Sequence, residues 1–335
     1  MSKKILTLFL LALMLTICAV IALGLGSVSI PLSELLNAVT GRSESYSDII
    51  LNIRLPRILN AIIVGAALSC AGMILQAALR NNLAEPGLLG ISAGAGLGAI
   101  LVFMLPALFS FSLLMPVSFV FAVSSTALIF FIAGKLGSRT SGYVSSNVII
   151  LTGIAFSALI SALNGFLMLV SGSSLTQILY WLNGGLSGRG WNEFYAAVPF
   201  IVIGVIISVI LSKDLNIMNF GEEMSSSLGL DVKKFQRLAI LASSLLAAGA
   251  VSVAGIVSFA GLIVPNLSRL LIGNDYRYSV PCSVLMGSIF MLISDTIART
   301  IISPSEIPLG IVTSFIGAPV FIWLMMKGNS SSLKV

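Results

Sequence analysis

The stretch RLPRILNAIIVGAALSCAGMILQAALRNNLAEPGLLGISAGAGLGA, from Arg54 to Ala99, decides the fold. Between Arg57 and Arg80 it carries no charged residue, and a helix of about 20 such residues crosses a hydrocarbon core of about 30 Å. The turn from Arg80 to Gly87 is polar and is closed by Pro86 and Gly87, and a second apolar run follows directly. Gly87, Gly90, Gly94 and Gly98 recur at three- or four-residue spacing, which predicts a small-residue stripe that lets helix backbones approach. The glycines are no dinucleotide fingerprint, because no strand precedes them and no soluble unit surrounds them.

Reading outward, the same alternation of apolar runs with Gly, Pro and charge punctuation continues along the chain. It predicts ten spans, at about 5–26, 57–79, 88–107, 113–135, 147–170, 194–212, 237–255, 257–272, 280–300 and 309–327. The eighth is short and contains Gly and Pro. Composition agrees, with 57% of the 335 residues hydrophobic and 9% charged, against about 25% charged in an ordinary soluble domain. The expected fold is all-α and membrane-integral, ten transmembrane helices in a single transmembrane domain over residues 1–335.

The first run, Ile5 to Gly26, follows Lys3 and Lys4 and ends without a clear small-x-small cleavage site. A retained first helix is expected rather than a cleaved leader. Cys18, Cys70 and Cys282 lie inside apolar stretches, which suits buried small side chains better than disulfides or a metal site. The net charge of +6 comes from scattered basic residues and not from a run, so it speaks for membrane orientation and against nucleic acid. With the N-terminus in the cytoplasm, 13 of the 18 Lys and Arg residues fall inside and five outside: Arg42, Arg54, Arg57, Arg189 and Arg299. Both termini are therefore expected in the cytoplasm.

Two polar excursions stand out. The outer one, about 28–56, contains Ser33, Glu34, Arg42, Glu44 and Asp48; the inner one, about 213–236, is short and amphipathic, with Met224, Leu228 and Leu230 beside Glu222, Glu223 and Asp231. The inner pattern suits a segment that lies against another protein. Asp295 stands four residues before Arg299, on the same helix face, and the two are placed to pair.

The Arg54–Ala99 stretch, YWLNGGLSGRGW at Tyr180 to Trp191, SFAGLIVPNLSRLLIGNDYRYSVP at Ser258 to Pro281 and IPLGIVTSFIGAPVFIWL from Ile307 resemble, in order, one family. It is the FecCD-type permease family, the type II ABC importer transmembrane subunit that carries iron siderophores, haem and cobalamin. The resemblance implies a homodimer of ten-helix subunits in the plasma membrane, two copies of a separate ATPase inside, and an extracytoplasmic solute-binding protein outside. It implies that Arg54, Arg57 and Arg299 dock acidic residues of that binding protein. It places ATPase coupling on Gly221, Glu222, Glu223, Met224, Ser227, Leu228 and Gly229, with the two glycines permitting turns at either end of a short helix. It places a cytoplasmic gate at Asn81, Leu83, Ser146 and Asn147. Asn82 stands where the family usually has Pro, and Asn266 where it commonly has His.

The chain has no histidine, which excludes histidine ligation of haem and a histidine proton relay. No metal site is expected, and the path is expected to pass an intact chelate along Ser, Asn, Gly and Met side chains. Gly134 and Lys135 lack the flanking residues of a P-loop, so no cofactor is expected on this chain and ATP-Mg is used by the partner ATPase. An ion-coupled secondary transporter would carry coupling carboxylates near mid-membrane, and Asp295 alone approaches a span interior. An iron chelate is the expected cargo and cobalamin the alternative.

Overall fold

The computed structural model describes residues 3–26, 30–31, 46–137 and 145–332. Ser33, Glu34, Arg42 and Glu44 of the outer excursion, with Arg139 and Lys334, lie outside the described residues. Every regular element among the described residues is helical: α1 (Lys3–Gly24), α2 (Leu55–Ala78), α3 (Ile91–Met104), α4 (Leu114–Gly137), α5 (Ser146–Val170), α6 (Leu175–Leu182), α7 (Trp191–Ile210), α8 (Ser212–Met218), α9 (Glu222–Ser227), α10 (Val232–Ala254), α11 (Ala260–Ile272), α12 (Tyr276–Thr300) and α13 (Leu309–Ser332), with short 3₁₀ and π turns between them.

Each expected span meets one apolar helix, and eight of these helices are long enough to cross a membrane. The other two, α3 and α11, have 14 and 13 residues, about 20 Å at 1.5 Å per residue. The third span is therefore shorter than expected. Its first part is a 3₁₀ turn over Pro86–Leu89 that ends at Gly90 with φ +70°, so α3 starts only at Ile91. α11 starts only after Phe259, φ +69°, and ends before Gly273, φ +91°. The second span is longer than expected, because a π-helical turn over Ile49–Arg54 runs straight into α2. The eight-residue α6 is too short to leave a membrane-length signature, and no expected span covers it.

α2 is the central helix and packs against α10, α11 and α12. Small side chains make this possible. A Cβ on Gly65 would meet the Gly287 carbonyl, and one on Gly72 would meet the Gly261 carbonyl. Ser69 Oγ donates to the Ser283 carbonyl at 2.8 Å, Ser283 Oγ returns a bond to the Ser69 carbonyl at 3.2 Å, and Ser288 Oγ reaches the Ile62 carbonyl at 3.0 Å. Close backbones and interhelical hydroxyl bonds are how helices associate where lipid removes the hydrophobic drive. The predicted glycine stripe is narrower than read: Gly94 and Gly98 face the backbone of α4, whereas Gly87 and Gly90 belong to the preceding turn.

A valine at Gly72 must push α2 away from α11, and overpacking of this kind costs about 1–3 kcal/mol. Gly72→Val is expected to lower the detergent unfolding temperature by several degrees. Gly165→Ala, where a Cβ meets nothing within 4 Å, is expected to leave it unchanged or slightly raised.

The peripheral helices α1, α5 and α7 keep long apolar side chains exposed, among them Phe9, Leu159 and Ile210. That is a lipid-facing surface, and the chain is a multi-pass membrane protein. Its charges sort to two ends. At the near end, where α1 begins, Lys4 lies 4.8 Å from the centre of the Tyr278 ring and Asn216 donates to Asp275 at 2.9 Å. At the far end, the last turn of α1 meets Arg54 and Arg299.

Candidate functional site

At the near end, α9 is a six-residue helix set between Gly221 at φ +98° and Gly229 at φ +88°, a region that glycine enters without steric cost. Ser225 anchors it by donating to the Ile217 carbonyl at 2.8 Å. Glu222 turns inward, where its Oε1 accepts from Gln236 at 3.4 Å and from Ser146 at 3.5 Å. Burial pushes its carboxyl above the ordinary range, against the opposing pull of Ser146 and the Arg80 charge. Arg80 holds φ +48°, uncommon for a non-glycine residue, and its guanidinium lies beside Gly221.

One carboxylate thus joins α9 to the start of α5 and to α10, under the charge of Arg80 from the turn after α2. Among the expected gate residues, Asn81 and Leu83 form one tight turn, with Asn81 Oδ1 accepting from the Leu83 amide at 2.9 Å. Ser146 reaches Glu222 and Asn147 is exposed. The two halves are connected through Arg80 and Glu222, which sequence spacing does not reveal. Phe220, Met224 and Leu228, four residues apart, stand 69%, 55% and 58% exposed on a segment outside the long apolar helices. Glu223 and Ser227 are exposed beside them.

Toward the far end, the chain just past α6, the end of α10 and the start of α13 meet through backbone. The Gly185 amide donates to the Ala254 carbonyl at 2.7 Å, Leu309 to Gly184 at 2.8 Å and Gly310 to Asn183 at 2.9 Å. This irregular backbone lines a cavity. An open-sided cleft of about 530 Å³ is lined by Asn183, Ile256, Ser258, Gly310, Ser314 and Phe315, among others. Ser, Asn and Gly occur in its wall.

At the far end, Arg54, Arg57 and Arg299 come together, and each is engaged by this chain. Arg57 Nε and Nη2 grip Asp295 at 2.9 to 3.1 Å, while Nη1 and Nη2 grip Glu306 at 2.7 and 3.0 Å. Arg299 approaches Asp295 at 3.6 Å, the i,i+4 pair the sequence foresees, and donates to the Ala22 carbonyl at 2.6 Å. Arg54 donates to the Leu23 and Gly24 carbonyls at 2.5 and 3.2 Å. Glu306 escaped the sequence reading because it lies 249 residues from Arg57. Its carboxyl is raised by burial, but the Arg57 hydrogen bonds and charge prevail and hold it below the ordinary range.

The sequence pattern of the FecCD transport family matches residues 13–327. The chain belongs to the FecCD transport family. It is 36% identical to the hemin transport system permease protein HmuU of Yersinia pestis, covering 98% of each chain. It is 35% identical to the iron(3+)-hydroxamate import system permease protein FhuG of Bacillus subtilis, again over 98% of both. With the cobalamin import system permease protein BtuC of Halobacterium salinarum it shares 36% identity over 85% of this chain and 75% of that one. A solved inward-facing structure described as a metal-chelate type ABC transporter superposes with a TM-score of 0.85 at 33% identity, covering 96% of this chain and 98% of that one.

In this FecCD chain Asn82 and Asn266, 184 residues apart, are in contact. Asn266 Nδ2 donates to the Asn82 carbonyl at 3.2 Å and to the Leu262 carbonyl at 2.7 Å. Arg269 Nη2 donates to Gln76 Oε1 at 2.5 Å, Asn266 Oδ1 at 2.8 Å and Asn82 Oδ1 at 3.4 Å. A polar clamp therefore holds the turn after α2. Arg269→Met removes the shared donor and strips the buried Gln76 oxygen of it, at a cost of about 1–3 kcal/mol. Amide exchange across residues 80–85 is expected to quicken in that variant, and unchanged exchange would show that the clamp does not hold the turn.

Proposed function

We propose that this chain is the permease subunit of an ATP-binding-cassette importer that moves an iron chelate, a siderophore complex or haem, across the cytoplasmic membrane. All ten apolar helices span in this reading, the two short ones deep within the bundle. Both termini face the cytoplasm, and two copies of the chain stand together so that the partner closes the open side of the cleft. ATP-Mg is hydrolysed by two copies of a separate subunit.

The observation that carries the reading is α9, a short glycine-bounded helix that, together with the flanking Phe220 and Leu228, offers exposed apolar side chains, Met224 among them, to a partner protein while Glu222 ties it to the core. Exposed apolar side chains grouped outside the lipid-facing surface mark a protein contact. Gly221, Glu222, Glu223, Met224, Ser227, Leu228 and Gly229 transmit ATPase closure in this reading, and Asn81, Leu83, Ser146 and Asn147 gate the near end. Arg54, Arg57 and Arg299 mark the face that receives the extracytoplasmic solute-binding protein.

Cobalamin is the second reading, favoured by the similarity to the cobalamin permease. Ferric hydroxamate, ferric citrate, haem and cobalamin offered in turn to proteoliposomes holding the complete transporter decide between them. Uptake of a ferric chelate or haem supports the first reading; uptake of cobalamin alone replaces the cargo.

A further inference from the structure

Arg57 divides its guanidinium between two carboxylates that differ in access: the Asp295 side chain is 1% exposed and that of Glu306 is 27% exposed. Asp295 sits inside α12, bracketed by Arg57 and Arg299, and nothing outside the chain can take its place without dismantling the bundle. Glu306 sits on the connection between α12 and α13, at the water-accessible edge of the same guanidinium. A second carboxylate arriving from outside would find on Arg57 the same bidentate geometry that Glu306 now uses, and the net charge around the arginine would be unchanged by the exchange.

The Glu306 connection leads into the cleft. It is also tied by the Ile307 amide on the Ala298 carbonyl at 3.0 Å and the Tyr180 hydroxyl on the Glu306 carbonyl at 3.1 Å, and Ser187 hydrogen-bonds the Glu306 carboxylate beside Arg57. Three residues on, Leu309 opens α13, whose first two amides bond to Gly184 and Asn183. Asn183 and Gly310 line the cleft, and Tyr180 lies one turn earlier on α6. A change at Glu306 therefore reaches both walls of the cleft through named bonds.

We propose that Glu306 is an internal stand-in for an acidic side chain of the extracytoplasmic partner, and that docking displaces it from Arg57 and so releases the α12–α13 connection and Tyr180. This rests on the reading that the far end receives that partner. Glu306 is a positioning residue: it touches no cargo and acts through Arg57 and Tyr180. The exposed carboxylate is the one exchanged because a partly solvated ion pair is far easier to give up than a buried one.

The test uses the complete transporter in nanodiscs and the solute-binding protein recovered with it by co-purification, with affinity read by biolayer interferometry. Glu306→Gln removes the competing charge and is expected to tighten docking about tenfold, and to raise basal ATP hydrolysis without the binding protein. Tyr180→Phe, which loosens the connection and alters no charge, is expected to tighten docking by a smaller factor; it carries the test if the glutamine variant is recovered poorly. Affinity at or below the wild-type value in these variants overturns the exchange. A binding protein that docks on neither wild type nor variant overturns the far-end docking reading instead.

Discussion

Replacing Asp295 with alanine lowers the unfolding temperature of the purified permease by roughly 10 °C and sharply reduces the yield of folded protein. The side chain is 1% exposed and faces Arg57 at 2.9 Å and Arg299 at 3.6 Å. Without it two guanidinium groups remain buried near one another, and Arg57 keeps only Glu306. Breaking a buried pair by removing one partner costs about 3–5 kcal/mol, because the charge left behind has no compensation. Asp295→Asn keeps an acceptor oxygen and is expected to cost about half as much. Fluorescence-detected size-exclusion profiles after heating measure both. An alanine variant as stable as wild type would mean that water reaches the cluster and that it is no structural keystone.

The second large effect falls at the other end. Met224→Asp combined with Leu228→Asp is expected to reduce ATP-dependent uptake at least about a hundredfold, since two truncated hot spots of about 2 kcal/mol each suffice for that. Both side chains are exposed, so the unfolding temperature is expected to stay within a degree or two of wild type. Co-purification of the ATPase subunit is expected to fail in parallel. Charge reversal at Glu223, which is exposed, tests the polar edge of the same contact, whereas Glu222 also ties α9 to Ser146 and Gln236. A double variant that keeps its ATPase and its uptake would remove α9 from the coupling path.

The helical order was legible in the sequence because lipid imposes one strong requirement, an apolar run of membrane length, and residues such as 58–79 meet it without ambiguity. The same rule overestimates α3 and α11. There Gly90 and Phe259 adopt positive φ and delay the start of the helix, while the flanking residues stay apolar. It underestimates α2, because Arg54 reads as a loop residue until the carbonyls of Leu23 and Gly24 are seen to accept its protons. Within the sites, Asp295 and Arg299 were readable as neighbours four apart on a helix. Glu306 on Arg57, Glu222 on Ser146 and Asn266 on Asn82 were not, because each joins segments far apart in the chain, and single-sequence periodicity carries no such information. The turn glycines Gly221 and Gly229 were readable for the opposite reason: what glycine permits is decided locally.

The central claim is that transport through this chain is driven by a separate ATPase acting on α9. Proteoliposomes reconstituted with the permease and the solute-binding protein, loaded with ATP-Mg, and prepared with and without the ATPase subunit measure it most directly, with ferric hydroxamate and haem as cargo. Uptake that requires both ATP and the ATPase subunit, and that vanishes in the Met224→Asp, Leu228→Asp variant, is the predicted result. Uptake driven by a sodium or proton gradient in vesicles lacking the ATPase would contradict the account and make this chain an ion-coupled carrier.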